Sequence, residues 1–325
     1  MKKYIIAFVL FILFVFILAI SIGRGDDEIS YDETIEKPEP AEQLVEKPSS
    51  EAEIEEKTVD LADSQSEEQI EVQTKDATDL PVNKAGYPEQ IIKRIAYTVS
   101  FNSTTKCPNW VAWKLTKEHT DGPYSRKGVP YYEEDGNASG IGVITNDNFK
   151  FTYFLDTDIK GPKQEFRDWN DKSYNVNHGH IMPAADNRWS KAAMNQSFYL
   201  SNMCPQDIDL NNGGWEKLET KCRKWANKYG EIYIIAGPIF NSQQYRTMGE
   251  GKVGIPDGFF KVVLCMKKVP KAIGFVYPNV GTSDTPDKFA KTVDEVEAIS
   301  GLDFFSFLPD EVENSVESSS NYRDW

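Results

Sequence analysis

The densest run of reactive side chains in this sequence is Asn175-Val-Asn-His-Gly-His-Ile-Met-Pro-Ala-Ala-Asp186. It holds two of the three histidines, His178 and His180, on either side of Gly179, a residue that lets backbone or ligand approach closely. Two further runs follow, Tyr199-Leu-Ser-Asn-Met-Cys-Pro-Gln206 and Asp209-Leu-Asn-Asn-Gly-Gly-Trp215. Asn202, Asn211 and Glu219 in or just after them are oxygen donors suited to a hard cation. Helical side chains lean toward the N-terminus, which turns Glu219 back toward Asn211 two turns earlier. The start of such a helix also favours an anion such as phosphate. A neutral imidazole beside an oxygen-ligated metal is what metal-assisted phosphodiester hydrolysis needs: a base for water and a cation for the leaving oxygen. Plainer roles fit the same residues. A His-x-His pair on a strand faces one side and serves equally as a zinc half-site or a structural pair. Asn202 and Asn211 suit turns and caps, and His119, in a polar loop, reads as exposed.

The elements that must position these groups are read from periodicity. Ile95–Phe101, Trp110–Leu115, Ile232–Ala236, Phe259–Met266 and Ile273–Tyr277 run apolar or alternate over strand lengths. Asn212–Tyr229 reads as a helix with Trp215, Leu218, Cys222, Trp225, Ala226 and Tyr229 on one face. Asn211 or Asn212 is its expected cap and Gly230 its stop. A second helix is expected over Thr292–Ile299, while His119–Asp158 is irregular. Strands and helices mix without a βαβ alternation, which predicts an α+β fold.

Charge divides the chain. Between Arg24 and Ala85 there are 20 Asp or Glu against 6 Lys or Arg, whereas from Gly86 onward 31 acids face 28 bases. The formal charge of −15 therefore describes a tail and does not exclude nucleic acid as a partner of the rest. Residues 24–85 contain no Phe or Trp and are rich in Glu, Ser, Pro and Gln, so they are expected to be a disordered linker. Before them, Lys2 and Lys3 precede an uncharged apolar run from Ile5 to Gly23, which as a helix spans roughly 28 Å. Residues 1–23 thus read as a transmembrane anchor that leaves the following domain, 86–325, on the extracytoplasmic side. A cleaved signal segment is the alternative, which would leave the domain secreted or periplasmic. The four cysteines (Cys107, Cys204, Cys222, Cys265) allow three full pairings, or buried free thiols, and none form a C-x-x-C pair.

The order and spacing of these blocks carry a resemblance. His-Gly-His-Ile-Met-Pro-Ala-Ala-Asp186 with Arg188-Trp-Ser190, Met194-Asn-x-x-Phe-Tyr-Leu-Ser-Asn202, Pro205-Gln206 and Leu210-Asn211 through Glu219 resemble successive blocks of the DNA/RNA non-specific endonuclease family. Gly237-Pro238, Ile255-Pro256 before Phe260-Lys261-Val262, and Thr292–Glu297 before Gly301-Leu-Asp-Phe304 resemble its later landmarks. The resemblance implies a central antiparallel sheet flanked by helices, with the site on a ββα-metal element. It implies His180 as general base and Asn211 as direct ligand of Mg²⁺, with Mn²⁺ able to substitute. Glu219 and Asn202 would orient the metal and its waters. DNA and RNA would be held through phosphate rather than base edges. The signature departs from the family at Asn177 and His178, which stand where Asp and Arg are usual. His178 could hold phosphate only when protonated, so weaker activity is expected. A second, upstream arginine of the family aligns with Arg126 or Arg167. The altered signature also suits a binding module that has lost catalysis, and His178 with His180 suits a zinc hydrolase that lacks an evident third ligand.

Overall fold

The computed structural model describes residues 80–126, 141–146, 149–267 and 269–325. The anchor expected over 1–23, and the linker up to residue 79, lie outside the described residues. Among the described residues no helix is long and apolar enough to cross a membrane. The folded chain begins earlier than its composition suggests, because Val82–Asn83 pairs antiparallel with Leu302–Asp303 inside the segment read as linker. Asn83 fastens that start: its side chain both donates to and accepts from the backbone of Tyr87.

The main strands are β1 (Gln90–Lys93), β2 (Thr98–Asn102), β3 (Cys107–Thr116), β4 (Ile141–Asn146), β5 (Phe149–Phe154), β6 (Val176–His180), β7 (Met203–Asp207), β8 (Glu231–Ile239), β9 (Gly258–Cys265), β10 (Lys271–Pro278) and β11 (Ala290–Lys291). The helices are α1 (Lys191–Gln196), α2 (Glu216–Tyr229), α3 (Val293–Ser300) and α4 (Asp310–Glu317). Seven strands make one antiparallel sheet in the order β11-β10-β9-β8-β3-β2-β1. β4 pairs with β5, and β6 with β7, as separate two-stranded ribbons.

Strand alternation sorts the sheet's side chains onto two faces. Val111, Trp113, Ile234, Ala236, Phe259, Val263, Phe275 and Tyr277 point to the face that carries α2 and the β6–β7 ribbon. Trp110, Ala112, Tyr233, Ile235, Phe260, Val262 and Leu264 point to the other, which α3 and α4 cover through Val293, Val296 and Val316. Both faces are apolar because both are covered, and burying each large side chain contributes roughly 1.5–3 kcal/mol. This is the α+β arrangement expected, a sheet flanked by helices.

All four cysteines are buried free thiols. α4, which no periodicity suggests, follows Pro309.

Candidate active site

β6 and β7 form a short antiparallel ribbon in which His178 faces Pro205, Gly179 faces Cys204 and His180 faces Met203. A period of two puts His178 and His180 on one side of the strand. Gly179 is required between them: a Cβ there would lie 2.4 Å from Cβ of Gln206. The chain leaving His180 is clamped by Asn202. Its amide oxygen accepts from the Met182 N–H (2.9 Å), and its NH₂ donates to the carbonyls of Met182 (3.0 Å) and Ser197 (2.8 Å).

His180 is 7% exposed, packs edge-on to Phe198 at 5.0 Å, and has an Nε2 with no hydrogen-bond partner among the described residues. Desolvation, helped by the charge of Arg126, holds the imidazole well below its usual value, while a backbone hydrogen bond at His178 works the other way. It is therefore neutral, with a nitrogen lone pair to offer. His178 is sandwiched between Tyr153 and Trp169 at centroid distances of 4.0 and 3.6 Å. Burial, with the charge of Lys172, lowers it to about 3.

After β7 the chain winds continuously into α2, and the cap is neither Asn211 nor Asn212. Asp207 takes that place, accepting the N–H groups of Asp209 (3.0 Å) and Leu210 (3.1 Å). Asn211–Trp215 is a wide π-type turn inside the helical run, a feature that often marks functional positions. It fits because Gly213 and Gly214 press on the Thr282 backbone, where a Cβ on Gly213 would be 2.5 Å from the carbonyl oxygen. Asn211 donates its amide to Oδ1 of Asn177 at 2.9 Å, which leaves its own amide oxygen free of any hydrogen bond from the described residues. Asn177, Asn211, Glu219, His178 and His180 line one cavity of about 760 Å³, together with Arg126, Arg188, Arg223 and Glu216.

Beneath this cavity lies a group of buried charges that spacing alone does not reveal. Lys261 shares a cross-strand row with Ala236 and Phe275. It is 0% exposed and sits 4.6 Å from the Trp215 ring and 5.0 Å from the Trp113 ring. Its ammonium has no hydrogen-bond partner among the described residues. Asp186, also buried, accepts from Arg223 (3.1 Å) and from Nε1 of Trp113 (3.2 Å). Burial raises the Asp186 carboxyl, and Arg223 and Lys261 oppose the rise. Burial likewise pushes Glu219 up to about 7 against the charges of Lys261, Arg223 and Arg126. A signal for Arg223 exists in the sequence, since it lies one helical turn beyond Glu219 on the same face. Lys261 is marked only as part of the Phe260-Lys261-Val262 landmark, because its strand otherwise reads as an ordinary apolar run.

The donor set fits a hard divalent ion: the free amide oxygen of Asn211 and a carboxylate at Glu219 whose charge is held back mainly by desolvation. The model of the DNA/RNA non-specific endonuclease family matches residues 78–311. The chain belongs to that family. Among its relatives, "Nuclease 1, mitochondrial" of Schizosaccharomyces pombe is 33% identical over 66% of this chain and 65% of its own length. "Nuclease EXOG, mitochondrial" of Danio rerio is 29% identical over 70% and 65%. Human "Endonuclease G, mitochondrial" is 27% identical over 68% and 72%. The alignments thus span about 65% of the length of the first two relatives. A crystal structure of an EndoG/EndoGI complex superposes with a TM-score of 0.54 at 23% identity, over 70% of this chain and 91% of that one, a likeness of fold.

Set beside the endonuclease family's expected site, three residues fall differently. Asn202 is 0% exposed and spends its amide on the backbone, so it is a clamp on the strand exit and not a metal residue. Arg167 does not line the cavity. It is 61% exposed and paired with Glu165 at 2.8 Å, because the short helical turn that carries it points it to solvent. Of the two upstream candidates, Arg126 is the one at the cavity, its guanidinium 5.8 Å from the Phe198 ring. His178 does line the cavity, but desolvation between two aromatic rings keeps it neutral, so it cannot grip phosphate as a cation. Arg126, Arg188 and Arg223 bring the positive charge instead.

Proposed function

We propose that this chain is a metal-dependent endonuclease that hydrolyses phosphodiester bonds of DNA and RNA without sequence preference. One observation carries the reading: a neutral, unpartnered Nε2 of His180 shares a cavity with the free oxygen of Asn211, with Glu219 and with three arginines. His180 takes the proton of the attacking water at Nε2 as that water adds to phosphorus in line with the leaving 3′ oxygen, which gives 5′-phosphate ends. Asn211 would hold Mg²⁺, or Mn²⁺ in its place, and Glu219 would orient its water shell. When bound, the ion supplies positive charge to the leaving oxygen. Arg126, Arg188 and Arg223 grip phosphate oxygens and stabilise charge that grows on them. Phosphate contacts read no bases, so specificity is low and salt sensitivity high.

Nicking of plasmid DNA by the full chain tests this with Mg²⁺, Mn²⁺, Zn²⁺ and chelator in parallel. Cutting with Mg²⁺ or Mn²⁺, abolished by chelator and lost in His180→Ala with DNA binding kept, is the expected result. Binding without cutting under every metal would leave a binding module of the same fold. Cutting with Zn²⁺ alone would favour the histidine pair as a zinc site. Among the described residues, however, no cluster of three or more metal-ligating side chains includes His178 and His180. The proposal extends to placement: residues 1–23 anchor the domain on the extracytoplasmic side. Protease added to intact cells should then remove the domain, and its complete protection would reverse that assignment.

A further inference from the structure

On the sheet face opposite the cavity, α3 and α4 come together over a common apolar cluster through Val296 and Val316. Each of these valines is followed by an acid, Glu297 and Glu317, which therefore flank the same seam. Asp294 lies three residues before Glu297 and so on the same side of α3. Gly301, at φ +70°, ends α3 and returns the chain so that the Phe304 N–H donates to Oε1 of Glu297 at 2.7 Å. The result is a cluster in which one carboxylate oxygen each from Asp294, Glu297 and Glu317 lies within 4.8 Å of the others.

Three acids close together on a surface would mean little, since such groups repel and solvate. Here Glu317 is 5% exposed, and its Oε1 is buried with no hydrogen-bond partner among the described residues. A buried acceptor left unpaired is costly, and more so if charged, so such groups normally have a partner. None of the described lysines or arginines pairs with Asp294, Glu297 or Glu317. Lys84 pairs with Asp303, at the rim of the cluster, at 2.8 Å, and its charge acts on Glu297 without pairing to it. Burial pushes Glu317 up to about 8, and the charges of Glu297, Glu313, Asp294 and Asp303 add to the rise.

We propose that Asp294, Glu297 and Glu317 form a binding site for a calcium-like divalent cation, separate from the His180 cavity, that pins α3 to α4. The donors are all hard carboxylate oxygens, and they come from two helices that have some freedom to adjust. Calcium takes six to eight such ligands in a flexible shell, with carboxylates binding through one or both oxygens and water completing the set. One dication would offset two of the three carboxylate charges and give Oε1 of Glu317 the partner it lacks. Its role is to stabilise, by locking the last helix onto the domain, and no step of phosphodiester cleavage passes through it.

The test is a calcium titration of the full chain, freed of metal by chelator, read by thermal unfolding and by equilibrium dialysis. The wild type and Asn211→Ala should both show a saturable rise in Tm and bind one tight calcium. Glu317→Gln should lose that tight ion, with affinity reduced at least tenfold, although its metal-free Tm is expected to match or exceed the wild type's. If Glu317→Gln does not fold, Asp294→Asn, at an exposed position, should still weaken binding. The acidic segment 24–85 is identical in all these variants, so any ion it holds cancels in the comparison. Equal calcium responses in wild type and Glu317→Gln would overturn the proposal. So would the absence of a saturable site in the wild type, in which case Glu317 and Glu297 share a proton instead.

Discussion

On the cavity face of the sheet, Lys261 and Arg223 stand among Asp186 and Glu219. On the opposite face, Asp294, Glu297 and Glu317 stand together, and no basic side chain among the described residues is paired to any of them. Both sets include residues of helices packed on the sheet, and both contain a carboxyl raised by burial. They differ in sign balance. The cavity side carries its own counter-charges, so its acids can be ionised and aimed before any ligand arrives. The far side has Lys84 nearby, paired to Asp303, and its buried Glu317 becomes compatible with burial only when a proton or a cation is added. Buried charge that is internally balanced suits preorganised chemistry, whereas a cluster of one sign around a buried, unpaired oxygen suits a counter-ion.

The comparison breaks most severely if the balancing charge on the cavity side is removed. Lys261→Met keeps the length and apolar stem, and leaves Asp186 and Glu219 with one cation fewer. Removing one partner from a buried set of charges costs roughly 3–5 kcal/mol, measurable by urea unfolding. The carboxyl of Glu219 should also rise further, moving the acid limb of the pH–rate profile to higher pH. A stable variant with an unmoved profile would show that Lys261 is packing only.

Next in size is the effect of pH, where the two faces should part. A charged Glu219 would orient the water shell of an ion held at Asn211, so Mg²⁺ affinity should climb as pH rises and level off above about 7. Stability runs the other way. Glu219 and Glu317 have folded-state values of about 7 and about 8, above the ordinary 4.5, so the folded chain holds more protons than the unfolded chain in between. Their contribution to stability is full below about 4.5 and is lost as pH rises, to about 7 for Glu219 and about 8 for Glu317. Glu317→Gln should remove the fall between about 7 and about 8, and calcium should do the same for the wild type. Unfolding curves at closely spaced pH values would show whether the two steps separate.

How far the sequence is legible follows the range of the forces involved. The apolar face of α2 and the helix expected over Thr292–Ile299 are local patterns, and both appear, the second as α3 with a Thr292–Glu295 capping box at its start. Asn211 is legible from the order of its block, but its π-type turn depends on contact with Thr282, which no local pattern reports. Asn202 misleads because an amide that could ligate a metal and one that clamps a backbone look alike until their partners are known. Lys261 looks like one polar residue in a strand, and its burial depends on Trp113 and Trp215, which come from distant parts of the chain. α4 escapes a sequence reading because Asp310-Glu-Val-Glu-Asn-Ser-Val-Glu317 is short and acidic, with only Val312 and Val316, one turn apart, to mark an apolar face that docks on the sheet.

The smallest expected effect concerns His178, where the cavity's positive charge could be redistributed. A neutral ring releases no counterions from nucleic acid, so His178→Gln should leave the salt dependence of DNA binding unchanged. Arg126→Gln should flatten the slope of log K against log salt by about 0.9 for each phosphate it no longer neutralises. His178→Arg would place a permanent cation between Tyr153 and Trp169, where a planar guanidinium can stack as the imidazole does. That variant should steepen the slope by a similar amount and raise cleavage several-fold, less than the loss caused by removing His180. Lys172, whose charge already disfavours a cation at this position, limits the gain. An unchanged slope would mean that the slot between the two rings never meets a phosphate. The cavity's grip would then lie wholly with Arg126, Arg188 and Arg223.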